Sequence, residues 1–525
     1  MATGAELTYD TGASAMQMAN AIFGDGVTVV SASYTGDKDS SAIYSNGDAR
    51  SPDATPGDTG VILSTGDAKS FTQSSGDPNR ATNTSTNTSG VNNNSDFNAL
   101  AGTSTYDASW LDVDFVPTGN VMTMQFSFSS EEYPEYINSA YNDVFGVWVN
   151  GSHVPISVGN GTTSVTNING ANNANLVVSN TGDAYNTEMD GFTITMTLTV
   201  PVNVGVVNSI RIGVADATDS NYDSNVLIAG DSIQTTLVAI DDLQTMFPDQ
   251  SKVLDVLSND LNATGGTLTI THLNGVAVTA GQTVNLPSGE QVTLNADGTL
   301  TVHTDHDVDT VNFTYEVQSS TGAKDVGFVT ISTVPCFVAG TLIATPEGMV
   351  PVESLRPGDL VMTQDEGAQP LRWVGQRQVA AEGAFAPIRI AAGTFGPHGM
   401  LMLSPQHRVL VRDPLAELLF GDTEVLVAAK DLVNGQTVAV VEGGQVDYVH
   451  ILFDRHQVVW SEGLATESFL PGPQVMAGFD AAVQEEICAL FPELDPATGQ
   501  GFIPAARRLL KGYEAQVLMS LSEAA

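Results

Sequence analysis

Of the two cysteines in this 525-residue chain, Cys336 stands directly after Pro335 and opens the segment CFVAGTLIATPEGMVPVESLRPGDLV. A thiolate is the natural nucleophile toward an amide carbonyl, and it leaves again readily. Because the Pro335–Cys336 carbonyl lies immediately upstream of the thiol, the attack is intramolecular and proximity replaces a substrate pocket. Moving the acyl group from nitrogen to sulfur is uphill for a relaxed amide. The fold must therefore bend that bond, stabilise the oxyanion or protonate the departing amine. Histidine is the side chain suited to the last task. His407 is the candidate: in LMLSPQHRVLV it follows Ser404 by three residues, on a turn between two strand-like runs. The plainer alternatives are a buried structural cysteine at a domain junction and a packed turn histidine. Cys488 falls on the apolar side of an amphipathic segment with Ile487 and Leu490, which makes it a packed, inert thiol.

The surrounding pattern is mainly β. Residues 336–475 read as strands punctuated by Pro346, Gly348, Pro357, Gly358, Gly367, Gly393 and Gly399. Beyond them, in 476–525, the period lengthens to 3.6 in AAVQEEICALF and PAARRLLKGYEAQVLMSLSEA, which predicts two closing amphipathic helices. Residues 1–240 alternate apolar and polar positions in VMTMQFSFSS, DVFGVWVNG, FTITMTLTV and SIRIGVAD, the pattern of a β-sandwich or jelly roll. One helix is predicted in SAMQMANAIFG, with Met16, Ala19, Ala21 and Ile22 on one face and an end at Gly24. The run TNTSTNTSGVNNNSD, residues 82–96, has no apolar period and is expected to be a mobile loop. Residues 241–335 carry short runs at the spacing of a small Ig-like sandwich, read as a spacer.

A formal net charge of -42, spread over the whole chain, excludes phosphate backbones and anionic membrane surfaces as natural partners. Surplus carboxylates suit calcium or simple solubility in a salty exterior. Asp216, Asp219 and Asp223 form one acidic group and Glu131, Glu132 and Glu135 another; both are calcium candidates, and neither follows the EF-hand spacing. The opening MATGAELTYDTG has neither a basic n-region nor an apolar h-region, and no apolar run reaches membrane-spanning length. The expectation is an extracellular or surface protein using a route without a cleavable N-terminal signal.

The segments CFVAGTLIATPEGMVPVESLRPGDLVMT, LSPQHRVLV and YVHILFDRHQVVWSEGLATESF resemble the opening, middle and closing blocks of the Hedgehog/intein, or Hint, fold. The resemblance implies that Cys336 is the nucleophile, Pro335 the scissile acyl residue and His407 the donor to the leaving nitrogen. Ser404 stands where that family usually has Thr, which keeps the hydroxyl. The closing block adds His450, with Asp454 and His456 as lesser candidates. Splicing in that family also needs a C-terminal asparagine, and none occurs after Asn434, so the implied reaction is N-terminal cleavage or transfer without a cofactor. The acceptor is open: water, an amine or a thiol. Upstream, the opening helix with GDGVTVVSASYTG, the run FSFSSEEYPEYINSAYNDVFGVWVNG and ADATDSNYDSNVLIAG resemble the choice-of-anchor L module of bacterial surface proteins. Residues 241–335 resemble cadherin-like or Ig-like adhesin repeats. Two rival readings remain: an adhesin with a silent Hint domain, and a cysteine protease acting in trans.

Overall fold

A computed structural model describes residues 2–246 apart from 138, 157, 159, 160 and 171, and then 251–305, 310–332, 337–381, 386–469, 505–510, 515 and 518. Pro335, Cys336, Cys488 and the first expected closing helix lie outside the described residues. Two units emerge: Met1–Asp242 with Val253–Val302 and Val311–Thr330, and Leu243–Lys252 with His303–Thr310 and Ile331–Ala525.

In the first unit, alternation becomes a sandwich. Val121–Ser130 turns Met122, Met124, Phe126 and Phe128 inward, all fully buried. They meet Leu111, Val113 and Phe115 from Thr105–Pro117 and Ile210, Ile212 and Val214 from Asn208–Ala217 in one core. One sheet runs Thr8–Asp10, Ser41–Ser45, Thr59–Ser64, Ser224–Ala229, Val121–Ser130, Gly191–Thr193, Val177–Ser179; the other runs Val27–Thr35, Thr105–Pro117, Asn208–Ala217, Val144–Val149, Ser152–His153.

Two local expectations need correction. The first helix spans Ala15–Ile22, capped by Ser14 and Gln17 in a reciprocal box, and ends at Phe23 rather than Gly24. Its buried stripe is Met18, Ala19 and Ile22, which pack into the sandwich core, while Met16 is exposed. Residues 82–96 are tied down by polar bonds instead of apolar contacts: the amides of Thr86, Thr88 and Ser89 donate to Asp223, Asp107 and Asp37.

The Ig-like segment contributes Lys324–Ser332, Thr310–Ser319 and Leu268–Leu273 to one sheet and Leu300–His303, Gln291–Leu294 and Thr283–Asn285 to another. It is joined firmly to the sandwich. Phe328 sits in the sandwich core, and the buried Asp325 accepts from Thr123 Oγ1 at 3.0 Å, Gln125 Nε2 at 3.3 Å and the Ala239 amide at 2.8 Å.

The second unit is again two sheets around a core that includes Phe337, Ile343, Leu403, Val409 and Ile451. One sheet is ordered Trp373–Ala380, Gln445–Leu452, Phe337–Val338, Leu401–Leu403, Ile388–Ile390, Val438–Val440. The other contains Gly348–Pro351, Leu342–Thr345, Val458–Ser461, Leu464–Glu467, Arg408–Arg412, Glu424–Ala428 and Arg508–Leu509. The last pair falls where the second closing helix was expected. It forms a strand parallel to Glu424–Ala428, whose free edge offers backbone partners; helical structure is described further on, at Ala515 and Leu518.

Candidate active site

Phe337, the residue after Cys336, is a strand residue with a neighbour on each side: Leu403 in one flanking strand and Val449 in the other. Ser404 and His450 each follow those partners by one position, on the side from which the antiparallel count runs back along the chain past Phe337. Both are buried. The sequence therefore brings a hydroxyl and an imidazole to either flank of the strand that Cys336 leads into.

His407 arrives by a different device. The chain leaves one sheet at Leu403 and enters the other at Arg408, and the link between is a tight turn closed by the His407 amide on the Ser404 carbonyl at 3.0 Å. Pro405 occupies the second turn position, where its fixed φ suits the bend. The turn sends the buried imidazole inward against Phe337, with ring centroids 4.2 Å apart and planes 59° apart. His407 is thus in van der Waals range of the residue bonded to Cys336.

Around His450 the packing is aromatic. The Trp373 ring lies 6.4 Å away with planes at 30°, and Phe469 meets it edge-on at 5.5 Å. Gly375, opposite His450 in the register, makes room: a Cβ there would come within 2.0 Å of the Trp373 ring.

Glu467, which the sequence alone did not mark, ends the strand Leu464–Glu467 with its carboxylate buried. It accepts from the Arg408 amide at 2.9 Å and faces the Arg408 guanidinium and His456 Nε2, each at 3.4 Å. Burial pushes its pKa up, but the Arg408 charge, the His456 bond and the field of His407 outweigh that and hold it down to about 2. His456 accepts the Ala506 amide on Nδ1 at 2.9 Å, so its proton sits on Nε2, toward Glu467. Asp454 belongs elsewhere, in an exposed two-bond pair with Arg372.

Three family models match in series: the choice-of-anchor L domain at 8–234, a bacterial Ig domain at 233–332 and the Hint domain at 335–473. Residues 335–473 are a Hint domain. Choice-of-anchor L and Ig domains precede it, as the resemblances implied, and the described residues have the expected mainly β architecture. Among solved structures, the gp41-1 intein is 12% identical, covering 25% of this chain and 97% of that one at a TM-score of 0.18. The MchDnaB-1 intein is 11% identical over 25% and 98%, also at 0.18. Drosophila OTK extracellular domains 3–5 are 11% identical over 66% and 92%, at 0.14. No curated protein matches the chain.

In the choice-of-anchor L domain, Asp216 and Asp223 are buried and Asp219 is half-buried, its Oδ1 accepting the Asn221 amide at 3.0 Å. Among the described residues, no group of three or more carboxylates, imidazoles or thiols is set to hold an ion, and no helix is long and apolar enough to cross a membrane.

Proposed function

We propose that the Hint domain cleaves its own chain at Pro335–Cys336, with residues 1–335 as the acyl portion. In the first step the Cys336 thiol loses its proton as Sγ bonds to the Pro335 carbonyl carbon. The carbon–nitrogen bond then breaks, and the former amide nitrogen leaves as an amine with a proton delivered by His407. A thioester remains, and the thiol hydrogen has in effect become an amine hydrogen. Water then yields a Pro335 carboxylate and restores the thiol, whereas an amine acceptor would be joined to Pro335 as an amide.

The observation that carries this reading is the buried His407 imidazole seated 4.2 Å, centroid to centroid, from the ring of the residue that follows Cys336. Ser404 and His450, each one position beyond a strand partner of Phe337, would bind the scissile carbonyl or the departing amine. The upstream domains fit an exported or surface-displayed cargo, since the choice-of-anchor L family belongs to bacterial surface proteins.

Expression of the whole chain and of its Cys336→Ala variant tests the proposal. Wild type should yield fragments ending at 335 and beginning at 336, faster with dithiothreitol or hydroxylamine, and the variant should stay intact. A wild-type chain that survives both reagents would overturn the reading. Cleavage of added Cys336→Ala chain by wild type would point to action in trans instead.

A further inference from the structure

At one end of the choice-of-anchor L sandwich, several carboxyl groups are buried without any cation. Asp107, Glu131, Glu132, Asp143, Glu188, Asp190, Asp216 and Asp223 are each at most 3% exposed, and among the described residues none takes part in an ion pair. Interiors tolerate such groups only when they are protonated, hydrogen-bonded or bound to a metal.

Glu131 is the extreme case. Ser130 pairs with Gly191 on one side and Ser224 on the other, so the next position, Glu131, falls between Asp190 and Asp223. The Glu131 amide donating to the Asp223 carbonyl at 3.2 Å continues that register. Glu131 is 0% exposed, and neither of its carboxylate oxygens has a hydrogen-bond partner. Asp190 Oδ1 accepts from Asn79 Nδ2 at 2.6 Å, while Asp190 Oδ2, Asp223 Oδ2 and the Asn79 amide oxygen have no donor. Thr84, whose hydroxyl also faces Glu131, donates to Glu188 at 3.1 Å. Acceptors thus outnumber donors around Glu131, and one of the spare acceptors is a neutral amide oxygen rather than an acid.

We propose that this end of the sandwich binds one hard divalent cation of the calcium class, with Glu131 and Asp190 as carboxylate ligands and the Asn79 amide oxygen as a neutral one. Asp223 adds negative charge from the adjoining strand. An all-oxygen set of carboxylates and an amide carbonyl is what calcium selects. Of the two acidic groups that the sequence suggested, this set takes Glu131 from one and Asp223 from the other, and adds Asp190 and Asn79. Because Asn79 and Thr84 lie in the segment that covers the sandwich end, the ion would also fasten that segment to the strands.

The test uses the full-length Cys336→Ala chain, which stays in one piece, stripped with EDTA and titrated with calcium chloride or magnesium chloride by calorimetry and thermal unfolding. One calcium per chain is expected, with a Kd at or below about 10⁻³ M and an unfolding temperature that rises with the logarithm of calcium concentration, magnesium being the weaker ligand. Adding Glu131→Gln should weaken calcium binding at least tenfold while leaving the EDTA-treated chain as stable as its parent or more so, because it removes an uncompensated buried acid. If the parent takes up no calcium at 10-fold that Kd, or if Glu131→Gln binds it equally well, the group is a set of protonated carboxyls and the proposal fails.

Discussion

Replacing Glu467 with glutamine keeps the size and the acceptor oxygen of the side chain but removes its charge. The carboxyl is held at about 2 against an ordinary value of 4.5, despite a burial that acts the other way. A lowering of that size, at 1.36 kcal/mol per pKa unit, corresponds to about 3 kcal/mol of stability in the Hint domain. The sign follows from the direction. A depressed carboxylate contributes fully above its unfolded value near 4.5, and the contribution fades as pH drops through its folded value near 2. Glu467→Gln should therefore lower Hint-domain stability by about 3 kcal/mol at pH 7, and the deficit should shrink steadily on acidification below about 4.5. Urea unfolding of the Cys336→Ala chain with and without Glu467→Gln, read by limited proteolysis of the C-terminal unit, measures both quantities. Equal midpoints at pH 7, or a gap that widens in acid, would refute the assignment of Glu467 as the charge that balances Arg408.

His407→Ala should slow release of residues 1–335 by about 10²–10⁴-fold with the fold retained by circular dichroism, since proton donation to the leaving amine contributes on that scale. Gly375→Ala should slow cleavage too, because the added methyl drives the Trp373 ring away from His450; the rate and near-ultraviolet circular dichroism of Trp373 would change together. Asp325→Ala leaves the Ala239 amide, Thr123 and Gln125 without their buried acceptor, and should cost about 3 kcal/mol or more, seen by calorimetry as a lower first transition of the intact chain.

Strand alternation was legible wherever one face is buried, as in Met122, Met124, Phe126 and Phe128, because period-two patterning directly encodes which side faces the core. The turn at Ser404–His407 was equally readable, since proline between two apolar runs fixes a bend by its own geometry. Glu467 was not. A single acid in LATESF looks like a surface residue, and its burial depends on Arg408, far away in the chain, arriving on the neighbouring strand. The threonine and asparagine run at 82–96 misled for a related reason. Polar composition announces a lack of apolar anchoring but cannot show that buried carboxylates such as Asp223 and Asp107 wait to receive its amides. Helical periodicity around Arg508 lost to an available strand edge, a tertiary opportunity that local pattern does not contain.

The stretch around Arg508–Leu509 has a practical consequence for anyone trimming the molecule. It lies past residue 473, where the family match stops, yet it completes the outer border of a sheet: the Leu510 amide donates to the Leu426 carbonyl, and Arg507 clasps both Glu424 and Asp365. A fragment truncated at the family boundary would strip the cover from Glu424–Ala428, whose interior residues are Val425, Leu426 and Val427, and withdraw the Ala506 amide from His456. Such a product would present a bare, oily ribbon to its neighbours in solution and invite them to stack. Poor behaviour of that fragment would then report on where it was cut, and a clone carried well past Leu510 is the fairer vehicle for the chemistry at Pro335.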